Sequence, residues 1–399
     1  MQRIKILFIA WDGPQTTYME SLFMPIFHAI MQQDTQYEFH ILQFTWRDAK
    51  QIEITANKAL EFGIIYNFYP VCRKPIAAFG GWITIIKGIS VVKNYIEQNN
   101  INIVMPRSTM PAIIVNRICL NKCKLIFDAD GLPIEERVDF AGLKKGSWMY
   151  RFLSREEKKI LIKADAVITR SNKAIDIHIN EIGEIYRNKF YRVINGKNTR
   201  TFIPNLQQRE DLRNNLGIKT DEKVFVYCGS LGEQYCWDEM QGIFIRYLNI
   251  NPHSRFLILT GSPHFLEGKI TQEYSNRFIV KTVPAEDVPA YLNVADIAFA
   301  IRKPTFSMQG VAPIKLAEYL LMGLPTIASK DIGDTEDLLK NIPDCFLYDH
   351  FDSNRINKAV HWILHKKPNK EILSQSVRNI FSLEKSAEDY LSALDAVIQ

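Results

Sequence analysis

Short runs of continuous apolar residues alternate with longer amphipathic segments from one end of the chain to the other. In the front half the runs predict strands at 4–10, 37–44, 64–68, 101–105, 124–128, 166–169 and 190–194. Helical patterns fall between them at about 16–32, 82–98, 109–121, 147–164 and 172–182. The back half repeats the scheme, with strands at 223–228, 255–260, 277–281, 296–300 and 325–328. A strand without a polar face has to be covered on both sides, and alternation with helices supplies the crossovers that parallel pairing needs. The pattern therefore predicts an α/β chain of two Rossmann-like, doubly wound domains facing each other across a cleft. The alternation breaks near 198–205, around Gly196 and Pro204, so the domains are expected at 1–200 and 201–380.

Composition narrows the class. Of 399 residues, 47% are hydrophobic and 23% charged, which excludes disorder, collagen and coiled coil as the main state. A net charge of +5 is too mild for a nucleic-acid binder. It is unevenly spread: residues 1–200 carry +9 and the rest −4. A basic front half suits an anionic membrane surface or a phosphate-bearing substrate; a scatter of solvated charges is the alternative. The six cysteines form no CxxC pair and read as thiols in a reducing cytosol. Ile4–Ala10 is too short a run for a signal peptide, and Ile83–Ile96 is interrupted by Lys87 and Lys93. A cytoplasmic protein is expected, peripheral at most on the inner face of the membrane.

Ligands of open parallel sheets bind beyond the carboxyl ends of strands, so the loops there carry the information. In Gly310-Val311-Ala312-Pro313-Ile314-Lys315-Leu316-Ala317-Glu318, Pro313 suits the first helical position, and Gly310 allows close approach of a ligand. Exposed amides at such a helix start favour phosphate. Lys315 and Glu318 share one helix face, a cation for a diphosphate beside a carboxylate for sugar hydroxyls. A surface Lys–Glu pair is the alternative. Gly229-Ser230-Leu231-Gly232 follows a strand and could offer amides to phosphate, or serve only as a tight turn. It matches neither GxGxxG nor a P-loop. Gly261 follows the next strand.

In the front half, Asp12-Gly13 could bind an acceptor hydroxyl and Arg107-Ser108 could clamp a phosphate or an acceptor sugar, or both could simply cap and turn. Asp128-Ala129-Asp130 is an Asp-x-Asp sequence, but alternate strand residues point to opposite faces, which disfavours one shared metal ion. Asp130, at the strand end, remains an acceptor-hydroxyl candidate. The eight histidines include one pair four apart, His361 and His365, but no HExxH and no Cys/His cluster, so no metal is expected. Lys144, Lys145, Arg151, Arg155, Lys158, Lys159 and Lys163, with Trp148, Met149, Tyr150 and Phe152, could form an interfacial patch or a solvated helix face.

Several of these segments resemble bacterial glycosyltransferase family 4 enzymes of the surface-polysaccharide type. Phe127-Asp128-Ala129-Asp130-Gly131 with Glu136-Arg137 is similar to their F-D-x-R-G-x-x-x-x-E-R stretch, and Val193-Ile194-Asn195-Gly196 with Phe202-Ile203-Pro204 to their domain junction. Pro313-Ile314-Lys315-Leu316-Ala317-Glu318-Tyr319 with Gly323-Leu324-Pro325 resembles the donor signature. Phe381-Ser382-Leu383-Glu384 precedes a last helix, 381–399, which in that family crosses back to the first domain. The resemblance implies a GT-B fold and metal-independent, cofactor-free, retaining transfer of a hexosyl or N-acetylhexosaminyl group. The donor would be a UDP- or GDP-sugar and the acceptor a glycan or lipid-linked saccharide.

By position, the resemblance puts Lys315 and the amides of 310–312 on the diphosphate and donor sugar, Glu318 on the ribose, and Val283 and Pro284 by the base. It gives Lys315, Glu318, Asp130 and Arg107 the catalytic roles. The sequence departs from the family at three places. Gly310 stands where the first Glu of E-x7-E belongs, Glu233-Gln234-Tyr235 replaces the usual Arg and Lys, and no His lies near Asp128–Asp130. Phosphate binding then rests on Lys315. A non-catalytic nucleotide-sugar binder, or a UDP-sugar 2-epimerase of the same fold, are the alternatives.

Overall fold

The computed structural model describes residues 3–120, 122–342, 344–366 and 368–398. They form two compact units. The first comprises 1–194, 309–311 and 383–399; the second comprises 195–308 and 312–382.

The first unit holds seven strands, β1 (Ile4–Asp12), β2 (Tyr37–Thr45), β3 (Ile65–Pro70), β4 (Ile103–Pro106), β5 (Lys124–Asp128), β6 (Ala166–Thr169) and β7 (Phe190–Arg192). Their order is β3-β2-β1-β4-β5-β6-β7, and every pair is parallel. Alternate residues of β1 feed opposite layers, as the pleat requires. Leu7 and Ile9 join the core under the helices Ala77–Asn99, Thr109–Val115 and Trp148–Lys163. Phe8 turns the other way, where its ring meets Phe23 and Phe27, and Phe27 stacks on Phe39 at 4.3 Å. The helices Met24–Gln33 and Leu383–Ile398 cover that second face. Tyr390 of the last helix, fully buried, meets Phe27 edge-on.

The second unit holds β8 (Lys223–Cys228), β9 (Ser254–Leu259), β10 (Phe278–Lys281), β11 (Ile297–Ala300), β12 (Thr326–Ser329) and β13 (Cys345–Tyr348). The order is β10-β9-β8-β11-β12-β13, again all parallel. Phe225, Phe244, Phe256, Phe278 and Phe299 form one continuous aromatic cluster on a face of this sheet.

Several elements differ from the sequence reading, the unforeseen helix Pro133–Phe140 among them. The strand β13 was not expected, nor was the helix Ala49–Glu61, in which only Thr55 and Ala59 are buried. It starts in a capping box between Asp48 and Gln51. The helix expected over 109–121 ends at Val115, after which the Asn116 amide donates to the Glu156 backbone and carboxylate. Pro313 occupies the N-cap and the helix begins at Ile314. Proline fits there because its missing N–H would find no partner at a helix start.

Candidate functional site

In each sheet the strand order reverses once. The reversal lies between β1 and β4 in the first unit and between β8 and β11 in the second. Loops leaving neighbouring strands in opposite directions open a crevice there, at the carboxyl ends.

In the second unit the two flanking loops begin at Gly229, after β8, and at Ile301-Arg302, after β11. The helix Ile314–Leu321 is fixed beneath them by Tyr319, whose hydroxyl accepts from the Cys228 backbone amide at 2.8 Å. That anchor delivers Lys315 across the first turn of the Gly229 loop. Its Nζ donates to the Tyr227 hydroxyl at 2.9 Å, and that hydroxyl donates to the Ser230 carbonyl at 2.5 Å. The ammonium also lies 4.0 Å from the ring centre of Tyr235 and 4.6 Å from that of Tyr227. A Cβ on Gly229 would come within 2.1 Å of Lys315 Cε, and its φ of +137° is strained for any other residue. Glycine is therefore the residue that lets this lysine in.

Arg302 joins the same ring, its guanidinium carbon 4.9 Å from the centre of Tyr235. Its amide donates to Ser329 Oγ at 2.9 Å, which is also bonded to His350, and the next amide, of Lys303, donates to the Gln234 carbonyl. Two cations thus flank one tyrosine. Among the described residues neither has a carboxylate ion-pair partner, since Glu318 is taken by Lys197 at 2.9 Å. Burial, and then the nearby Arg302 charge, bring the Lys315 ammonium down to a pKa of about 7. An arrangement that holds two cations together and lowers the charge of one favours an anion between them.

The remaining donor candidates take different places. Leu231 packs against the core. Gly261 and Pro284 are exposed and Val283 half-buried, on loops after β9 and β10 that are joined by a bond from Thr282 Oγ1 to the Thr260 carbonyl. Gly310 and Val311 belong to the first unit, while Ala312 belongs to the second and accepts from Asn195 Nδ2 at 3.1 Å. Gly310 sits against the Gly131–Leu132 backbone, where a Cβ would meet Leu132 N at 2.7 Å. A glutamate has no room there, which accounts for the departure at this position.

In the first unit, Asp12 after β1, Arg107 after β4 and Asp130 after β5 come together. Arg107 pairs with Asp130, and its charge also acts on Asp12. Burial pulls the Asp130 carboxyl upward, but Arg107 and Arg170 outweigh it and hold the group below its usual range. Asp12 shows the opposite balance: burial prevails over Arg47, a bond from Gln43 at 2.5 Å and Arg107, and its pKa rises. Gly13 abuts the Trp46 ring. Asp130 and Ser108 both have left-handed backbones, φ 66° and 64°. Asp128 is fully buried and bound by Arg170 and by the Tyr390 hydroxyl at 2.9 Å. The two aspartates of Asp128-Ala129-Asp130 thus share Arg170, which is bonded to Asp128 and lies 3.7 Å from Asp130, while Arg107 pairs with Asp130 alone. No group of three or more His, Cys, Asp or Glu among the described residues is arranged to hold a metal.

Sequence reasoning missed Tyr227, Tyr235, Arg302 and Lys197. A signal for Arg302 was present, a basic residue two positions beyond the fourth strand of the second series, which is where a switch point falls.

No family model matches the chain. Over 180 residues it is 24% identical to the alpha-monoglucosyldiacylglycerol synthase of Acholeplasma laidlawii, a match covering 43% of this chain and 42% of that enzyme. The chain thus spans less than half of that relative. Among solved structures, it is similar to Anabaena HepE in complex with UDP and glucose, with a TM-score of 0.72 and 14% identity over 99% of this chain and 100% of that one. It is also similar to a candidate UDP-N-acetylglucosamine 2-epimerase from Listeria monocytogenes, with a TM-score of 0.62 and 14% identity over 100% and 97%. Two parallel Rossmann-like sheets of seven and six strands, with the last helix returning to the first, give this chain the GT-B fold.

Proposed function

We propose that this protein is a glycosyltransferase that moves a hexosyl or N-acetylhexosaminyl group from a UDP- or GDP-sugar to a glycan or lipid-linked acceptor in polysaccharide synthesis. The observation that carries the reading is the cation pair Lys315 and Arg302 at the switch point of the second unit, held on Tyr235 with no carboxylate ion-pair partner among the described residues. A nucleoside diphosphate supplies the anion such a pair favours. The UDP complex of Anabaena HepE supports that ligand class.

Charge grows on the diphosphate as the sugar–oxygen bond breaks, so cations fixed beforehand act mainly on the transition state. Lys315 and Arg302 fill that role, with Gly229, Ser230 and Gly261 near the phosphates and Val283 and Pro284 toward the base. Glu318, steadied by Lys197, accepts from ribose hydroxyls. Asp12, Gly13, Arg107, Ser108 and Asp130 orient the acceptor. No metal or other cofactor enters this scheme. Retention follows if a donor phosphate oxygen takes the acceptor proton while the new bond forms on the same face of the sugar.

The test is incubation of the protein with UDP-, GDP-, ADP- and dTDP-sugars and a panel of lipid-linked saccharides, reading transfer and the product anomer by NMR. Transfer from one donor with the anomeric configuration kept supports the proposal; an inverted anomer removes its retaining element. Conversion of a UDP-sugar to its 2-epimer without acceptor would favour the epimerase, a reading that the likeness to the Listeria structure keeps in play. Nucleotide binding without turnover would favour a non-catalytic binder.

A further inference from the structure

Each sheet ends in two edge strands, and three of these four carry charge at both ends. Lys189 and Arg192 flank β7, Arg277 and Lys281 flank β10, and Asp344 and Asp349 flank β13. Charge so placed keeps an open edge from adding another strand. The fourth edge, β3, has none, since residues 62–72 contain no charged side chain. Its run Ile65-Tyr66-Asn67-Phe68-Tyr69 is β-branched and aromatic around one asparagine, and Ile65 and Phe68 are 42 and 46% exposed.

The backbone of β3 faces outward in a defined pattern. The Val71 amide donates to the Thr45 carbonyl at 2.8 Å, and the register runs from His40 opposite Ile65 to Thr45 opposite Pro70. Backbone groups alternate in direction along a strand, so Ile65, Asn67 and Tyr69 bond β2. The amides and carbonyls of Tyr66 and Phe68 therefore point away from the sheet. Pro70, next in that outward series, offers no amide and ends the row. The side chains are fixed from within the unit. Tyr66 donates to Gln43 Oε1 at 2.5 Å, Asn67 Nδ2 donates to the Tyr95 hydroxyl at 3.1 Å, and Tyr69 packs on Phe44. An edge held this way loses little freedom when it is paired.

We propose that β3 pairs antiparallel with the same strand of a second copy of this chain, about a two-fold axis at Asn67. Tyr66 then lies opposite the partner's Phe68, and Phe68 opposite the partner's Tyr66, each pair exchanging two backbone hydrogen bonds. Asn67 faces the partner's Asn67 at the non-bonded position between them. Phe68 covers the partner's Tyr66 on one side of the sheet, and Ile65 covers the partner's Tyr69 on the other. A second copy fits better than an unrelated strand because the row is self-complementary. Its donors and acceptors stand evenly on either side of Asn67, and it has no charge to oppose its own image. One short strand pair is a small interface, so the dimer should form in the micromolar range.

The experiment is sedimentation equilibrium of the full chain from about 1 to 200 µM, with the melting temperature and UDP binding measured alongside. The mass should rise from 46.2 kDa toward twice that value and stop there, because a two-fold contact closes. Asn67→Lys and Asn67→Glu each set like charges opposite one another at the axis and should weaken association by about fivefold or more. An equal mixture of the two variants should regain it, because lysine then faces glutamate. Ile185→Ser, which removes a side chain 84% exposed elsewhere on the unit, should dimerise like the wild type. Melting and UDP binding should be the same in every case. A wild type monomeric at the highest concentration overturns the proposal and leaves this edge to a strand from another protein. Growth beyond a dimer, a dimer indifferent to both Asn67 variants, or a mixture of folded variants that stays monomeric also overturns it.

Discussion

Lys315 is held by two tyrosines rather than by a carboxylate, and that choice has a measurable consequence. With a pKa of about 7 in the free protein, it is only part-charged at neutral pH, whereas a bound diphosphate favours the charged form. Nucleotide binding should therefore take up a proton near pH 7–8, seen as calorimetric heats that change with the ionisation enthalpy of the buffer. Affinity should fall as pH rises above about 7, because the free protein must first be protonated. Lys315→Met should abolish both effects. Gly229→Ala should weaken UDP binding by about tenfold or more with little loss of secondary structure, because the new methyl displaces Lys315 itself. The Lys315–Glu318 spacing was legible in the sequence because three residues on a helix share a face. Tyr227, Tyr235 and Arg302 were not, because their meeting depends on which strands are neighbours, and that is a property of sheet order.

At the scale of elements, the helix Trp148–Lys163 carries a carboxyl in an unfavourable place. Burial first, then the charges of Glu181 and Glu135, push Glu157 up to about 8. The folded protein thus holds this proton more tightly than the unfolded chain does, so stability declines as pH rises from roughly 4.5 through 8. Glu157→Gln should flatten that slope and raise stability at pH 8 by roughly 1–3 kcal/mol, with little change at pH 5, as read from urea unfolding at the two pH values. The last helix is tied to the sheet by Tyr390 on Asp128 and by Ser386 Oγ on the Ile194 carbonyl. Tyr390→Phe leaves its packing but removes a donor from a buried carboxylate, and should cost about 1–3 kcal/mol in the same measurement. The elements that the sequence reading missed include ones that bury little: the helix Ala49–Glu61 with two buried residues, and β13, four residues at the edge of its sheet.

For the whole molecule, the alternation of apolar and amphipathic segments was enough to foresee two parallel sheets, because only strands covered on both faces carry such runs. It did not foresee that 309–311 would leave the second unit for the first, a consequence of Gly310 lying against the Gly131 loop. The GT-B fold alone leaves the reaction open, since transferases and epimerases share it; the central claim is that the switch point of the second unit is a nucleoside-diphosphate site built on Lys315 and Arg302. Calorimetric titration of UDP and GDP into the wild type, Lys315→Met and Arg302→Gln at pH 7 tests it most directly. The account predicts binding of one nucleotide by the wild type and a loss of about tenfold or more in each variant, with melting temperatures unchanged in the absence of nucleotide. Nucleotide affinity indifferent to both substitutions, or no binding by a folded wild type, would contradict it.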